Sequence, residues 1–363
     1  MSNKMRDFYA MKKNAAFVHK ELWLYTLDTW IEQGYLKDAE EADAVFGFDK
    51  NTGKYEIDDM GWCESAFWPR FENKILEDRG AYELVQDFAG RGVLYFKGRR
   101  DGFMPEYVTH PVTDKYTWEK DVKWRLDPKT PERTADFKKN TEHAKTLQAG
   151  DTLICQRIIG PYMYLRSLLG PEGALYMFYD DPELIVDCMK SWLMLNDALL
   201  AVRQRDMALD ELFFAEDICY NGGPLISPEM IRKFLFPYYN ELITNAKERQ
   251  KGHKLFIQID TDGDCRPVID LYKEIGINFM SPFEVASGCD VVEIRKKYPE
   301  LLMSGGFDKR ILATTKDEID REIDRIMPFM KEHGGYIPTV DHAVPLEVSF
   351  ENYLHFRKRM MEF

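Results

Sequence analysis

Three carboxylates and a thiol follow one apolar segment of the chain within six positions. Residues 255–259 (LFIQI) have the pattern of a buried strand, and directly after it come Asp260, Asp262, Asp264 and Cys265. Like charges at this spacing repel one another, so the arrangement needs a bound cation, a shared proton or exposure to water. A bound cation or a shared proton would indicate a metal-binding or catalytic site. The third would make the segment an ordinary Asp-Gly turn in which Asp264 caps the next helix.

Other predicted strands also end in polar side chains. In chain order these are Glu216 and Asp217 after LFFA, Glu284 after NFMSPF, Gly305, Gly306 and Asp308 after LLMS, and Asp341 and His342 after YIPTV. In a barrel of parallel strands, the carboxyl ends meet at one face. The polar groups would therefore converge if the sheet closes.

The chain from residue 151 onward alternates between apolar segments and amphipathic helices. Six strands are predicted, at TLICQRIIG, LDELFFAED, HKLFIQID, INFMSPFE, LLMSGG and YIPTVDH. Helix signals lie between them, including Asp181 with Pro182 and the capping box of Thr315 and Glu318, while Pro237 predicts a kink or an early end in its helix. This alternation is typical of a parallel sheet covered by helices, either a barrel or a doubly wound sheet. The absence of a nucleotide-binding glycine loop and the many polar strand ends favour the barrel.

The first 150 residues have a different character. Residues 1–40 are predicted to be helical and amphipathic, from apolar side chains at roughly helical spacing: Phe17, Leu22, Leu24, Leu27 and Ile31. From residue 45 to residue 135, frequent Gly, Asp and Pro predict short strands and hairpins. We expect the aromatic residues there to form a satellite core, or alternatively to cover a pocket: Trp62, Trp68, Phe103, Trp118 and Trp124. Arg99 and Arg100 are interpreted as a solvated pair, with a clamp for an anionic substrate as the alternative.

We therefore divide the chain near residue 150. Residues 1–150 are expected to form helices and short strands that contribute to the barrel mouth and to the first barrel strands. Residues 151–363 are expected to form the main part of the barrel.

Composition excludes several kinds of partner. A net charge of −13 over 363 residues argues against nucleic acid and against an anionic membrane surface. Six cysteines form no CxxC pair, which suggests reduced thiols in a cytoplasmic protein. No segment has the pattern of a signal peptide or reaches the roughly 18 apolar residues of a membrane span. The oligomeric state, a homodimer included, is left open.

The strand-end motifs resemble the uroporphyrinogen decarboxylase superfamily, which includes porphyrinogen decarboxylases and corrinoid-dependent methyltransferases. The resembling phrases are EGALYMFYDDPELI, FAEDICYNGGPLISPEMIRKFLFPYY, FIQIDTDGD, INFMSPFEVASGCDV, LLMSGGFDKR and GGYIPTVDHAVPLEVSFENY. They cover roughly residues 150 to 363 in the family's order. The resemblance implies a (β/α)8 TIM barrel whose missing strands lie in the amino-terminal half.

Two branches of this superfamily imply different chemistry. Porphyrinogen decarboxylases resemble one another in an amino-terminal RQAGRY-like segment whose arginines hold substrate carboxylates, and the nearest basic stretch here, GRRDGF at 98–103, does not match it. The zinc methyltransferases have His-x-Cys-Gly at one strand end and a Cys at a later one. At the matching places this chain has Asp260, Asp262 followed by Gly263, and Asp341 followed by His342. The loops resemble the methyltransferase branch more closely, but the thiolates are absent.

The exchange of thiolates for harder donors changes the expected substrate. Zinc that activates a thiol prefers sulfur ligands, whereas Asp, Glu and His suit zinc in a harder setting or a hydrated divalent ion. A methyl group bound to oxygen needs its leaving oxygen protonated or polarised before a cobalt(I) corrinoid can take it, and a metal or an acid at the barrel mouth would do this. We therefore expect a methyltransferase that moves a methyl group from a small substrate, such as a methoxylated compound, to a corrinoid protein. The alternatives are decarboxylation of a porphyrinogen-like acid and a non-catalytic protein that binds a corrinoid or tetrapyrrole.

Eight residues are assigned expected roles at the site. The expected catalytic residues are Glu216, Asp260, Asp262 and His342, of which Glu216, Asp262 and His342 are also the expected ligands of a divalent metal, zinc by preference. The expected substrate-binding residues are Asp217, Tyr220, Glu284 and Asp341. Structural explanations stay open as well, since Glu216 and Asp217 could cap a loop or form ion pairs, and His342 could be a buried histidine that holds the last loop. No DxHxxG signature occurs, so the corrinoid is expected on a separate protein.

Overall fold

The computed structural model describes residues 3–98 and 105–363, so the predictions for Arg99, Arg100 and Phe103 lie outside the described residues. Contacts between Cα atoms divide the chain into two units. Unit 1 comprises residues 1–54, 219–224 and 257–363, and unit 2 comprises residues 55–218 and 225–256. In the described part of the chain, no helix combines the length and the apolar character that crossing a membrane requires.

The strands, in chain order, are β1 (Trp23–Leu24), β2 (Lys54–Met60), β3 (Lys74–Arg79), β4 (Tyr82–Gln86), β5 (Gly92–Phe96), β6 (Glu106–Thr109), β7 (Leu153–Ile159), β8 (Glu211–Ala215), β9 (Cys219–Tyr220), β10 (Gly223–Pro224), β11 (Phe256–Thr261), β12 (Phe279–Pro282), β13 (Leu302–Ser304), β14 (Tyr336–Ile337) and β15 (Ala343–Val344).

The α-helices are α1 (Lys4–Tyr9), α2 (Leu27–Glu32), α3 (Ala39–Val45), α4 (Lys115–Thr117), α5 (Pro131–Ala149), α6 (Pro161–Leu169), α7 (Pro171–Asp180), α8 (Pro182–Asp206), α9 (Pro228–Met230), α10 (Phe236–Arg249), α11 (Ile269–Glu274), α12 (Val291–Lys297), α13 (Lys316–His333) and α14 (Phe350–Met360). Two π-helical segments, Trp118–Val122 and Ile231–Leu235, directly precede a 3₁₀ turn and α10, respectively.

Unit 1 contains four parallel strands in the order β11, β12, β13, β14. Every residue of β12 and β13 is buried, as expected for parallel strands that are covered on both faces. A further short parallel pair joins β1 to β15, with Trp23 opposite Ala343 and Leu24 opposite Val344.

Unit 2 contains the parallel pair β7 and β8, with register from Cys155 opposite Glu211 to Ile159 opposite Ala215. Strand β2 lies next to β7. Strands β3 to β6 form a separate antiparallel sheet, which agrees with the hairpins predicted between residues 45 and 135. The alternation of parallel strands with helices is that of a (β/α)8 barrel, as the sequence predicts.

Most local predictions for the second half are confirmed. Each of the six predicted strand segments contains a strand, and the side chain of Asp181 caps α8. Thr315 and Glu318 form the predicted capping box of α13. The helix after Ser227 is interrupted by a π-helical segment, and α10 restarts with Pro237 in its first turn, which confirms the predicted break.

The prediction of a largely helical amino terminus is wrong. Within residues 3–40, the described part of this segment, only short helices occur, and residues 23–24 belong to a strand. The apolar side chains from Phe17 to Leu24 do not share a helix, because residues 15–22 form no helix and Trp23–Leu24 pairs with residues 343–344. Here a pairing with a distant segment overrides local helical spacing.

Candidate active site

Asp262 and His342 approach each other at two loops of unit 1. Asp262 follows β11 directly, and His342 directly precedes β15. His342 Nε2 lies 3.7 Å from Asp262 Oδ2, and the two side chains are 28% and 38% exposed. At this distance the two groups are too far apart for a hydrogen bond, and they attract each other as charges only when the imidazole is protonated. Imidazole exchanges protons readily and a carboxylate stabilises its protonated form, so the pair can hold and release a proton.

Gly263 shapes the turn in which Asp262 lies. Its φ is +74°, and a Cβ at this position would lie 2.6 Å from the carbonyl group of Tyr220. Glycine is required for so close a backbone approach. The Asp264 N–H donates a 2.9 Å hydrogen bond to the same carbonyl oxygen. Tyr220 therefore supports the turn through its backbone, while its half-exposed side chain keeps its substrate-binding role as a prediction.

Asp260 contacts strand β12. Its carboxylate accepts a hydrogen bond from Ser281 Oγ, and Gln258 Nε2 donates to the same hydroxyl at 2.8 Å. These contacts connect polar side chains of two neighbouring strands at their carboxyl ends. The catalytic role of Asp260 stays a prediction. The structure adds that the Asp260 carboxylate accepts a hydrogen bond from the Ser281 hydroxyl.

Lys309 lies between the carboxylates of Glu284 and Asp341. Its Nζ is 3.4 Å from Glu284 Oε1 and 3.9 Å from Asp341 Oδ1. Glu284 also accepts the N–H of Gly263 at 2.9 Å, and Asp341 accepts the N–H groups of Val285 and Lys309 at 2.9 and 3.1 Å. The two carboxylates thus join the loops that follow β11, β12, β13 and β14. Their predicted substrate-binding role is untested.

Asp341 is fully buried, and burial raises its pKa above the usual value, although Lys309 and the two backbone donors oppose this change. Lys309 was not among the expected site residues. The signal that could have identified it was its position directly after Asp308, at a strand end where a cation can balance neighbouring carboxylates.

Glu21 and Trp23 hold the His342 loop from the amino-terminal segment. The Val340 N–H donates to Glu21 Oε1 and the Tyr353 hydroxyl donates to Glu21 Oε2, both at 3.2 Å. Burial raises the pKa of Glu21 to about 7, against the opposing charge of Arg357. The Trp23 ring lies 5.4 Å from the His342 ring, and Trp23 is 43% exposed. Sequence reasoning missed both residues because it placed this segment in a helix.

Glu216 is a fully buried carboxylate in unit 2. Its Oε2 accepts the Tyr162 N–H at 3.0 Å, at the start of α6. The neighbouring Gly160 leaves room for it, since a Cβ there would collide with the Glu216 carboxylate. Glu216 therefore satisfies a backbone donor at a helix start, and its predicted catalytic role stays a prediction.

Asp217 and Arg166 form an ion pair at the same end of β8. Both side chains are 35% exposed, and Asp217 has a φ of +38°, which is unusual for a residue other than glycine. Tyr162 lies near them: its hydroxyl is buried without a hydrogen-bond partner among the described residues, and burial raises its pKa to about 12. The predicted substrate-binding role of Asp217 stays open.

The expected metal ligands are not assembled as a set of three. Across residues 3–98 and 105–363, no group of three or more His, Cys, Asp or Glu side chains is placed to hold a metal ion. Asp262 and His342 provide two donors in unit 1, and Glu216 belongs to unit 2, where it binds Tyr162. A zinc site needs at least three protein ligands. The described side chains do not fit a preformed site of that kind, and no chemical step below depends on a metal.

Strand-end side chains on parallel strands that alternate with helices define the class of (β/α)8-barrel enzymes. The model of the family Uroporphyrinogen decarboxylase (URO-D) matches residues 103–363. The chain belongs to this family. No curated protein matches the chain significantly.

One solved structure shows the same fold. A methyltransferase from Methanosarcina mazei superposes with a TM-score of 0.58 at 11% identity, and the match covers 100% of this chain and 99% of that chain. Xylanase B from Clostridium stercorarium F9 matches with a TM-score of 0.32 at 13% identity, over 56% of this chain and 71% of the other. Only the first of these is similar enough to support the fold.

Proposed function

We propose that this protein transfers a methyl group from oxygen in a small substrate to the cobalt of a separate corrinoid protein. The observation that carries the proposal is the Asp262–His342 pair, partly exposed at two adjoining loops of unit 1. Membership in the uroporphyrinogen decarboxylase family and the shared fold with a methyltransferase support it. Six cysteines without disulfides are consistent with the cytoplasmic location that we propose.

The step that needs catalysis is the departure of the oxygen from the methyl group. When the methyl–oxygen bond breaks, its electron pair stays on oxygen, while the electron pair that forms the new bond comes from cobalt(I). The oxygen needs a proton to leave as a hydroxyl group. His342 in its protonated form donates this proton, and Asp262 stabilises the charged imidazole before the transfer. Transfer of the proton leaves His342 neutral, so it must take up a proton from solvent before the next turnover.

The surrounding contacts orient this pair. Glu21 accepts the Val340 N–H two residues before His342, and Asp341 accepts two backbone N–H groups directly beside it. Trp23 lies against the imidazole ring. Together these contacts limit the positions that His342 can adopt, which is what a proton donor of defined reach requires.

The test measures methyl transfer to a purified corrinoid protein that has been reduced to cobalt(I). The reaction is monitored through the change in the visible spectrum of the corrinoid. A panel of methoxylated aromatic and aliphatic compounds serves as methyl donors. We expect turnover by the wild type and a loss of about a hundredfold or more in His342→Ala, in the range of general acid catalysis.

His355→Ala is the matched control. His355 forms a similar pair with Asp320 in the same unit, with His355 Nε2 2.8 Å from Asp320 Oδ1 and the His355 side chain 24% exposed. This pair joins α14 to α13 instead of two loops. It should keep wild-type turnover. Equal losses in both variants, or turnover of porphyrinogen acids with release of carbon dioxide and none of methyl donors, would reject the proposal. Tetrapyrrole binding without any turnover would favour the non-catalytic alternative.

A further inference from the structure

Arg157 occupies an unusual position in the middle of a barrel strand. It lies on β7 of unit 2, in register with Phe213 of β8. Its guanidinium carbon is 3.7 Å from the centre of the Trp62 ring, and Trp62 stacks on Phe213 with ring centres 5.3 Å apart and planes 17° apart. The cation therefore lies over the Trp62 ring at a distance typical of a cation–π contact, with the Phe213 ring centre 5.8 Å away.

Among the described residues, no acidic side chain pairs with the charge of Arg157. Its Nε is buried without a hydrogen bond, and none of the described residues forms an ion pair with its guanidinium. Two other enclosed arginines of unit 2 show the contrast: Arg203 pairs with Asp59 at 2.8 Å and Arg91 pairs with Asp87 at 2.7 Å. A half-buried cation without a counter-charge is costly, and an anion that binds beside it removes that cost.

The surroundings of Arg157 suit an apolar ligand body. Cys155, Phe213 and Ala215 form a buried apolar cluster against which Trp62 packs. Gly61, with a φ of +87°, makes the turn that brings Trp62 over the strands, and a Cβ there would lie 2.6 Å from the Glu64 carbonyl oxygen. An apolar environment strengthens the interaction between a guanidinium and an anion.

The site also lies close to the loops at the strand ends of unit 2. Cys63, next to Trp62, is near enough to Asp217 and Arg166 to interact with their charges. Because Arg166 is already paired with Asp217, Arg157 is the cation left for a ligand among these residues. The site therefore combines one positive charge with apolar side chains, and Glu211, which accepts a hydrogen bond from Cys155 Sγ at 3.2 Å, is a carboxylate that contacts the apolar cluster.

We propose that Arg157 binds the carboxylate of a small organic acid whose body lies against the apolar cluster. A carboxylate carries one negative charge and presents two oxygens in a plane, which matches the fork of a single guanidinium. A phosphate group carries more charge and usually engages several donors. Methyl transfer does not require this site, so the inference goes beyond the function proposed above.

Benzoate is the first probe, titrated into the full-length protein and followed by isothermal calorimetry. Benzamide, which has the same body without the charge, and inorganic phosphate are titrated in parallel. We expect benzoate to saturate one site per chain and Arg157→Gln to weaken it by roughly ten- to a hundredfold, as for lost hydrogen bonds to a charged group. Arg157→Lys, which keeps the charge but loses the planar fork, should give an intermediate loss.

Arg125→Gln is the matched control, because Arg125 also lies over aromatic rings, at 4.1 Å from Phe71, but its N–H groups bind backbone carbonyls. It should bind benzoate as the wild type does. If Arg157→Gln does not fold, Arg157→Lys decides the question alone. Unchanged affinity in the Arg157 variants, equal binding of benzamide, tighter binding of phosphate, or no saturation by benzoate would each overturn the proposal. No corrinoid is present in these titrations, so their failure is distinct from a failure of the methyl-transfer assay.

Discussion

Acidic residues directly after a strand have different surroundings in the two units. In unit 2, Glu216 is fully buried and accepts a backbone N–H, and Asp217 pairs with Arg166. In unit 1, Asp262 and His342 stay partly exposed and face each other, while Glu284 and Asp341 tie the adjoining loops together. The same sequence signal therefore marks both buried carboxylates with structural contacts and the exposed carboxylate that we propose to be reactive. Exposure and the presence of backbone donors separate the two.

The largest expected effect concerns the packing around Glu216. A Cβ at residue 160 would collide with the Glu216 carboxylate and would lie 2.8 Å from the Ala215 carbonyl oxygen. Gly160→Ala should therefore lower the free energy of unfolding by about 3 kcal/mol, measured by urea denaturation. Gly173→Ala is the control, since its Cβ would meet only Leu169 at 3.8 Å. It should be as stable as the wild type or more so, and equal destabilisation would contradict the close packing at Glu216.

The second prediction uses pH to examine the segment that holds His342. The pKa of Glu21 rises from 4.5 in the unfolded chain to about 7 in the folded one. Between these values the folded state holds a proton that the unfolded state has lost, so the stabilisation is complete below pH 4.5 and is lost as the pH rises through 7. The free energy of unfolding should fall by about 2 to 3 kcal/mol more in the wild type than in Glu21→Gln over this window.

Urea denaturation of the wild type and Glu21→Gln at pH 5 and pH 8 gives this difference directly. Glu351→Gln serves as the control, because the pKa of Glu351 is lowered by hydrogen bonds and lies below the window. Its difference from the wild type should be the same at both pH values. A Glu21→Gln difference that does not change with pH would show that Glu21 is ionised in the folded protein at pH 5.

A third prediction compares the two regions directly by removing one carboxylate from each. Glu216→Ala leaves the Tyr162 N–H without its acceptor and should lower the free energy of unfolding by about 2 kcal/mol. Asp262→Ala removes a partly exposed side chain and should change it by less than about 0.5 kcal/mol. The free energy of unfolding of both variants is measured by urea denaturation under the same conditions. Similar losses in both would end the distinction between a structural and a reactive carboxylate.

The smallest expected effect is on metal content. Two donors at Asp262 and His342 predict much less than one divalent ion per chain, measured by mass spectrometry on protein purified without an affinity tag. Asp262→Ala and His342→Ala should then contain as little metal as the wild type. Stoichiometric zinc that is lost in both variants would instead establish the metal site expected from the sequence.

Local signals in the sequence predicted the second half of the fold well. The capping of α8 by Asp181, the capping box of α13 and the interrupted helix before Pro237 depend on neighbouring residues, and all are present. The strand-end positions of Asp262 and His342 followed from the same alternation. Their approach to 3.7 Å agrees with the alignment of the carboxyl ends of parallel strands, although the His342 loop is also held by Glu21.

Contacts between distant segments could not be predicted in this way. Glu21 and Val340 are 319 positions apart, and their hydrogen bond depends on the pairing of β1 with β15. The sequence indicated only that Arg157 belongs to an apolar strand. Its contact with the Trp62 ring depends on the stacking of Trp62 against Phe213, which no local pattern indicates. The burial of Glu216 likewise depends on Gly160, which lies on the loop after another strand. Each failure is a tertiary contact without a local signature.

The pairing of β1 with β15 has a consequence for synthesis of the protein. Residues 21–25 leave the ribosome more than 300 residues before the strand with which they pair. The loop that carries His342 can therefore be closed only after residue 344 has emerged. Until then β1 has no partner strand, and we expect the nascent chain to expose Trp23 to chaperones. We also expect such a chain to have no methyl-transfer activity.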